Sequence, residues 1–152
     1  MRFDGDTMAL NELLDAIEPY VARICGPIAL DAGADATQET LVVVFRRLAT
    51  LRTPAAFRGW VRSIATREAV RIAARSPRHT ELNDVAETRQ EHLSPEIVDL
   101  LHMMTPEHRA VLVLRDLDGI PEADVAAMLE VSVGTVKSRL HRARRRFRDL
   151  WT

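Results

Sequence analysis

The sequence predicts an all-α fold of two small helical domains joined by a polar linker, the C-terminal one a helix-turn-helix. Three observations predict it. Of 152 residues, 47% are hydrophobic but only 5% aromatic, the composition of cores packed from Leu, Val, Ala and Met. Apolar residues recur at helical spacing, and a single β-branched run, in TLVVVFRRLATL, has no second strand-like segment to pair with. Charge is also segmented: net −3 over residues 1–53, +5 over 54–79, −9 over 80–130 and +6 over 131–152, all hidden in a total of −1.

The first domain is expected over residues 1–76. A helix from about Ala9 to Ile28 carries Leu10, Leu13, Leu14, Ile17, Val21 and Ile24 on one face, with Pro19 as a local defect. Leu30 to Ala34 reads as a loop. Asp35 then starts a second helix as its N-cap, with Gln38 three residues on in the arrangement of a capping box. Thr53 caps a third helix with Pro54 at its tolerated first position. That helix buries Phe57, Trp60, Val61, Ile64 and Ala65, and Arg58, Arg62, Arg67, Arg71 and Arg75 fall on one broad face of it.

Residues 77–94 have the polar composition of a linker. Helical periodicity restarts at Pro95 to Met103, and Thr105-Pro106-Glu107 caps a helix that ends at Gly119. Glu122 to Glu130 is a short amphipathic helix. The turn Val131 to Gly134 leads into TVKSRLHRARRRFRDLW, where Val133, Val136, Leu140, Ala143, Phe147 and Leu150 recur at steps of 3, 4, 3, 4 and 3. Ser132 is placed to cap this helix. Residues Thr135 to Arg139 then meet base edges if the helix enters a major groove by its N-terminus.

Several function classes are excluded by composition. Cys25 is the only cysteine and, between Ile24 and Ile28, reads as a buried structural thiol. His102 and His108 stand beside no cysteine or carboxylate cluster, so no metal or other cofactor is expected. There is no Gly-rich phosphate loop and no nucleophile–base pairing, so nothing argues for catalysis. The N-terminus lacks a secretory signal and no apolar run approaches a membrane span, which leads us to expect a cytoplasmic protein without a membrane partner. Two basic blocks on either side of an acidic stretch suggest two separate nucleic-acid contacts. The acidic linker carboxylates, Glu81, Asp84, Glu87 and Glu91, are placed to fold back on the basic C-terminal helix as a competitor for DNA.

These residues carry a resemblance. The stretch TPEHRAVLVLRDLDGIPEADVAAMLEVSVGTVKSRLHRARRRFRDLW, and within it VSVGTVKSRLHRARRR, is similar to the fourth domain of extracytoplasmic-function (ECF) sigma factors. DATQET and FRGWVRSIA resemble that family's first domain, in the expected order and spacing. The resemblance implies a bacterial transcription initiation factor that binds core RNA polymerase through the β′ clamp coiled coil and the β flap, and promoter DNA. An anti-sigma factor is a further family partner. It assigns Asp35, Gln38, Glu39 and Thr40 to the clamp, and Trp60 to the core of the first domain. The loop Leu51 to Phe57 would hold a flipped minus-ten base, with Arg58, Arg62, Arg67 and Arg71 along the minus-ten strand. Thr135, Lys137, Ser138, Arg139, Arg142, Arg145 and Arg146 fall to the minus-thirty-five element, with Arg144 to Arg146 nearer phosphates than bases.

The chain departs from the family pattern in three places. Arg67 and Arg71 stand where Asn and Asp are usual, Val43 where a polar residue is, and Pro121 where Ser commonly caps a helix. Two alternatives share the motifs: a sigma-like adaptor or decoy, and a helix-turn-helix regulator that does not itself initiate. Exposed apolar docking faces need cover when polymerase is absent, either by another protein or by the chain's own second domain.

Overall fold

A computed structural model describes residues 7–75 and 93–151; the linker carboxylates Glu81, Asp84, Glu87 and Glu91 lie outside them. All regular structure among the described residues is helical.

Three helices make the first half. Helix α1 (Thr7–Ala29) runs through both Pro19 and Pro27, and a single 3₁₀ turn, Leu30–Ala32, takes the chain into α2 (Gly33–Arg47). The expected loop is thus one tight turn. The capping box does not form: α2 begins before Asp35, its N-cap is Ala32, and no side chain caps it. Asp35 instead sits in the first turn, where its charge suits the helix dipole. The β-branched run is helical to Arg47, as expected. Two of its neighbours turn inward, with Thr37 and Thr40 donating to the carbonyls of Gly33 and Ala36 at 2.8 and 2.7 Å.

Pro54–Ala56 is a 3₁₀ turn and α3 (Phe57–Arg75) starts three residues later than the Thr53-Pro54 signal suggests. The Thr53 hydroxyl caps nothing; its carbonyl accepts from Ala56 at 2.9 Å. Val21, Cys25, Ile28, Val44, Val61, Ile64 and Ala65 form the centre of this half. Trp60 and Phe57 only border it, their rings 6.1 Å apart. Burial pushes the Cys25 thiol up to about 11, against the lowering effect of hydrogen bonds from Thr40 and Thr37. It remains a protonated, inert group.

The second half holds four helices. Ser94 caps α4 (Pro95–His102) and Thr105 caps α5 (Pro106–Val111), each accepting from the amide three residues on, at 3.3 and 3.2 Å. The chain continues from α5 into a wider π-helix, Leu112–Leu117. Leu112, Val113 and Leu114 are all buried there, more consecutive apolar residues than one stripe of an α-helix can turn to a single core. Gly119 closes it in the left-handed region at φ 69°. Helix α6 (Glu122–Leu129) starts at Pro121 without a side-chain cap, and α7 (Val133–Trp151) completes the domain.

The two halves are in contact. Leu30, from the first, is buried in the core of the second, while Ala110, from the second, lies in the core of the first. Leu30 adopts φ 53°, a left-handed conformation costly for a leucine. Its burial to 4% exposure offsets that strain, since enclosing such a side chain contributes about 1.5–3 kcal/mol. Beside it Arg109, only 7% exposed, donates through Nε to the Ile28 carbonyl at 2.7 Å. Its Nη1 serves Leu101 at 3.2 Å and Met104. Burial lowers its pKa to about 10, opposed by the charges of Glu107 and Asp31, so the guanidinium stays charged at neutral pH, its hydrogen bonds going to carbonyls.

Candidate nucleic-acid and polymerase interfaces

The turn between α6 and α7 is built by two residues. Glu130 ends α6 in the left-handed region at φ 58° and returns its amide to the Ala127 carbonyl at 3.3 Å. Ser132 then caps α7: its Oγ accepts from the Thr135 amide at 3.0 Å and lies 2.9 Å from the Thr135 hydroxyl. Val136, Leu140 and Ala143 lock α7 onto the domain. Lys137, Ser138, Arg142, Arg145 and Arg146 are exposed, and Thr135 and Arg139 are half-buried at the edge of that face.

Two expectations change here. Val133 is 39% exposed, so the apolar stripe starts at Val136 and the first residue of α7 faces outward. Arg144 is held by Asp116, Nε to Oδ2 at 2.9 Å and Nη2 to Oδ1 at 2.6 Å, an ion pair that raises its pKa and that its place in the basic run did not signal. Against α7, His108 is held below its ordinary pKa, first by burial and then by Arg142 and Arg139, with Glu107 opposing.

On α3 the four arginines do not act alike. Arg58 stacks its guanidinium 4.6 Å from the centre of the Tyr20 ring, and Arg62 is half-buried. Arg67 turns toward α6, donating to the Met128 carbonyl at 3.0 Å with Glu130 at 3.7 Å. Arg71 pairs with Glu68 on its own helix and lies 3.9 Å from Glu39. Arg67 and Arg71, the two that depart from the family pattern, are thus both engaged within the chain. The sequence counted them on one face because helical spacing says nothing of which neighbour fills it.

Asp35, Gln38 and Glu39 are exposed on α2. Thr40 is not: it is fully buried, its hydroxyl bonded to Ala36 and 3.8 Å from the Cys25 sulfur, and cannot meet a partner. Val43 is half-buried, packed at the edge of the core. Two residues missed in the sequence complete the surface. Val42 and Phe45 are 41% and 53% exposed beside Gln38, around a cleft of about 480 Å³ that also takes in Leu14 and Leu41. Their signal was the spacing Gln38, Val42, Phe45, one helix face on from the buried stripe.

A second cleft, of about 460 Å³, opens between α4, the π-helix and α7. Ile97, Leu101, Val113, Leu117 and Phe147 line it, and the Asp116–Arg144 pair forms its rim.

A four-helix unit in which the short α6 and a tight turn precede the capped, basic α7, packed beside a three-helix unit whose α2 leaves polar and apolar side chains exposed, has the form of a helix-turn-helix protein. The particular family follows from comparison. Residues 94–147 match the family model "Sigma-70, region 4". The chain is 35% identical over 129 residues to the ECF RNA polymerase sigma factor SigE of Mycolicibacterium smegmatis, covering 76% of this chain and 50% of that protein. It thus spans about half the length of that relative. It is 27% identical over 162 aligned positions to the ECF RNA polymerase sigma-E factor of Haemophilus influenzae, covering 92% and 86%. Its fold is similar to that of the sigma factor RpoE solved in complex with the anti-sigma factor NepR from Bartonella quintana, with a TM-score of 0.65, 20% identity and coverage of 93% and 95%. It is also similar to CnrH solved with the cytosolic domain of CnrY, with a TM-score of 0.63, 21% identity and coverage of 97% and 90%. The chain belongs to the ECF sigma factor family.

Proposed function

We propose that the chain is a sigma factor that binds core RNA polymerase and directs it to specific promoters. The observation that carries this is the Ser132-capped α7, which presents Lys137, Ser138, Arg142, Arg145 and Arg146 to solvent while Val136, Leu140 and Ala143 hold it rigid. A capped helix of this kind enters a major groove by its first turns. Thr135, Lys137, Ser138 and Arg139 read the minus-thirty-five element, and Arg145 and Arg146 meet phosphates. In the first domain, residues 1–76, Arg58 and Arg62 run along the minus-ten strand. Asp35, Gln38 and Glu39, with Val42 and Phe45, meet the β′ clamp, and the apolar cleft of residues 95–152 takes the β flap. The polar segment 77–94 joins the two domains. An anti-sigma factor is a further partner, in keeping with the similar RpoE structure, solved with the anti-sigma factor NepR. The protein works in the cytoplasm, as a regulator and not a catalyst.

One reconstitution tests the reading. The protein is mixed with bacterial core polymerase and a promoter library, and transcripts are mapped. A specific start site dependent on the protein is expected. A regulator would need a second sigma factor, and a decoy would give no transcript.

A further inference from the structure

Among its 152 residues the chain has 20 arginines and a single lysine, Lys137. Both side chains bring a positive charge to a phosphate, but their chemistry differs. A guanidinium stays protonated in proteins, whereas an ammonium can give up its proton and become a nucleophile. These residues therefore hold one side-chain amine, and it stands exposed early in α7, among the groups turned to solvent for DNA.

Two features of α7 give that amine what an acyl transfer needs. The first is a base. His141 is four residues on and exposed on the same helix face, so the two side chains are neighbours with Cβ atoms roughly 5–6 Å apart. Histidine is the side chain whose ordinary charge change falls near neutral pH, which lets it take up a proton and hand it on. The second is a field. Between Glu130 and Asp149 the sequence has six arginines and no carboxylate. Asp116 pairs with Arg144, while Arg142, Arg145 and Arg146 are exposed on the turns that follow Lys137. Such a face gathers phosphates, whether they belong to DNA or to a small acyl carrier.

We propose that Lys137 is an acyl-acceptor site for phosphate-bearing thioesters of the coenzyme A class, and that its acylation switches off reading of the upstream promoter element. The carrier's phosphates are drawn to Arg142, Arg145 and Arg146, which brings the thioester to the amine. The Lys137 ammonium first loses one proton to water. Nζ then attacks the thioester carbonyl carbon; the N–C bond forms as the C–S bond breaks, and the second proton passes through His141 to the departing thiolate. The product is a neutral amide without the charge of lysine. The α2 docking face lies in the other domain and contains no lysine, so the acylated protein still occupies core polymerase while no longer reading the upstream element. This consequence rests on the sigma-factor reading; the chemistry at Lys137 does not.

The chemistry is tested on the free protein, without DNA or polymerase. Arg23→Lys puts a second lysine on the exposed surface of α1, with Pro27 and not a histidine four residues on, as a reference within the same molecule. Acetyl-coenzyme A is added at low salt, and peptide mass spectrometry follows both lysines. Lys137 should be acetylated about tenfold faster than the reference, the low end of electrostatic enrichment. The ratio should fall at high salt, and also with S-acetyl-N-acetylcysteamine, a thioester without phosphate. His141→Gln should slow Lys137 and leave the reference unchanged. Equal rates at the two lysines, or a ratio indifferent to salt and carrier charge, would overturn the site. An unchanged Lys137 rate in His141→Gln would overturn the role of His141.

A second arm compares acetylated with unmodified protein in binding upstream-element and scrambled DNA. Discrimination should fall about tenfold, the scale of one base contact, with pull-down of core polymerase unchanged. Acetylation that leaves discrimination intact would overturn the switch. Failure of the sigma-factor reading shows separately, in unmodified protein that discriminates between no DNA sequences and yields no mapped start site.

Discussion

Arg144 and Asp116 meet through two parallel hydrogen bonds, 2.9 and 2.6 Å long, that tie the middle of α7 to the π-helix before it. Both side chains are well exposed, at 47% and 36%. The pair therefore orients more than it stabilises, and Arg144→Ala should change unfolding free energy by less than about 1 kcal/mol. Its effect on DNA should also be slight. Arg146→Ala, lacking such a tie, should weaken binding to all sequences alike and reduce the salt slope by about one. Binding titrations over a salt series separate the two; an equal drop in slope would return Arg144 to the phosphates.

Lys137 and Arg139 stand in the first turns of α7, beside the Ser132 cap. Lys137→Ala and Arg139→Ala should each cost about 1–3 kcal/mol of discrimination for the upstream element, with little change in non-specific binding. Ser132→Ala should instead lower stability by about 1 kcal/mol through loss of the cap. Competition binding against scrambled DNA and urea unfolding distinguish these outcomes. If Arg146→Ala shifted base preference and Arg139→Ala did not, α7 would dock the other way round.

Phe45 is a large aromatic left half in water beside Gln38 and Val42. Phe45→Ser should leave stability within about 0.5 kcal/mol, as surface changes usually do, and abolish association with core polymerase. The double change Gln38→Ala, Glu39→Ala should do the same. Thr40→Ala should behave in the opposite way, weakening the fold and sparing the interface. Melting curves and pull-down with core polymerase give the comparison.

His108 should make stability fall in mildly acidic solution. Burial, with Arg142 and Arg139, depresses its pKa in the folded state below the ordinary 6.5. The unfolded chain therefore takes up the proton first as pH falls. The residue has no effect well above 6.5, destabilises as pH drops through that value, and levels off once the folded imidazole is protonated too. Urea midpoints measured on both sides of this range should flatten in His108→Gln.

Local chemistry made some elements legible and hid others. Ser132 and Thr105 were readable as caps because the amide each serves lies three residues on, inside the same short segment. Asp35 and Thr53 carried equally good signals, yet the turns Leu30–Ala32 and Pro54–Ala56 absorb the chain just before their helices and leave them uncapped. The exposed basic residues of α7 were legible from periodicity alone. The fates of Arg67, Arg109 and Arg144 were not, since each is settled by a group 28 to 81 residues away. Thr40 was misplaced for the opposite reason: its hydroxyl satisfies itself on the preceding turn and so tolerates the core.

Arg109 has one more consequence, for how the molecule comes apart. Its guanidinium is shared among carbonyls of both halves, and neither half can unfold without leaving a buried charge short of acceptors or a carbonyl short of its donor. Leu30 adds the same dependence through its strained backbone, which is tolerable only while the far core encloses it. Helices that look like two independent units should therefore melt in one cooperative transition, and α1 to α3 expressed without α5 should unfold at a lower temperature than the same helices in the whole chain.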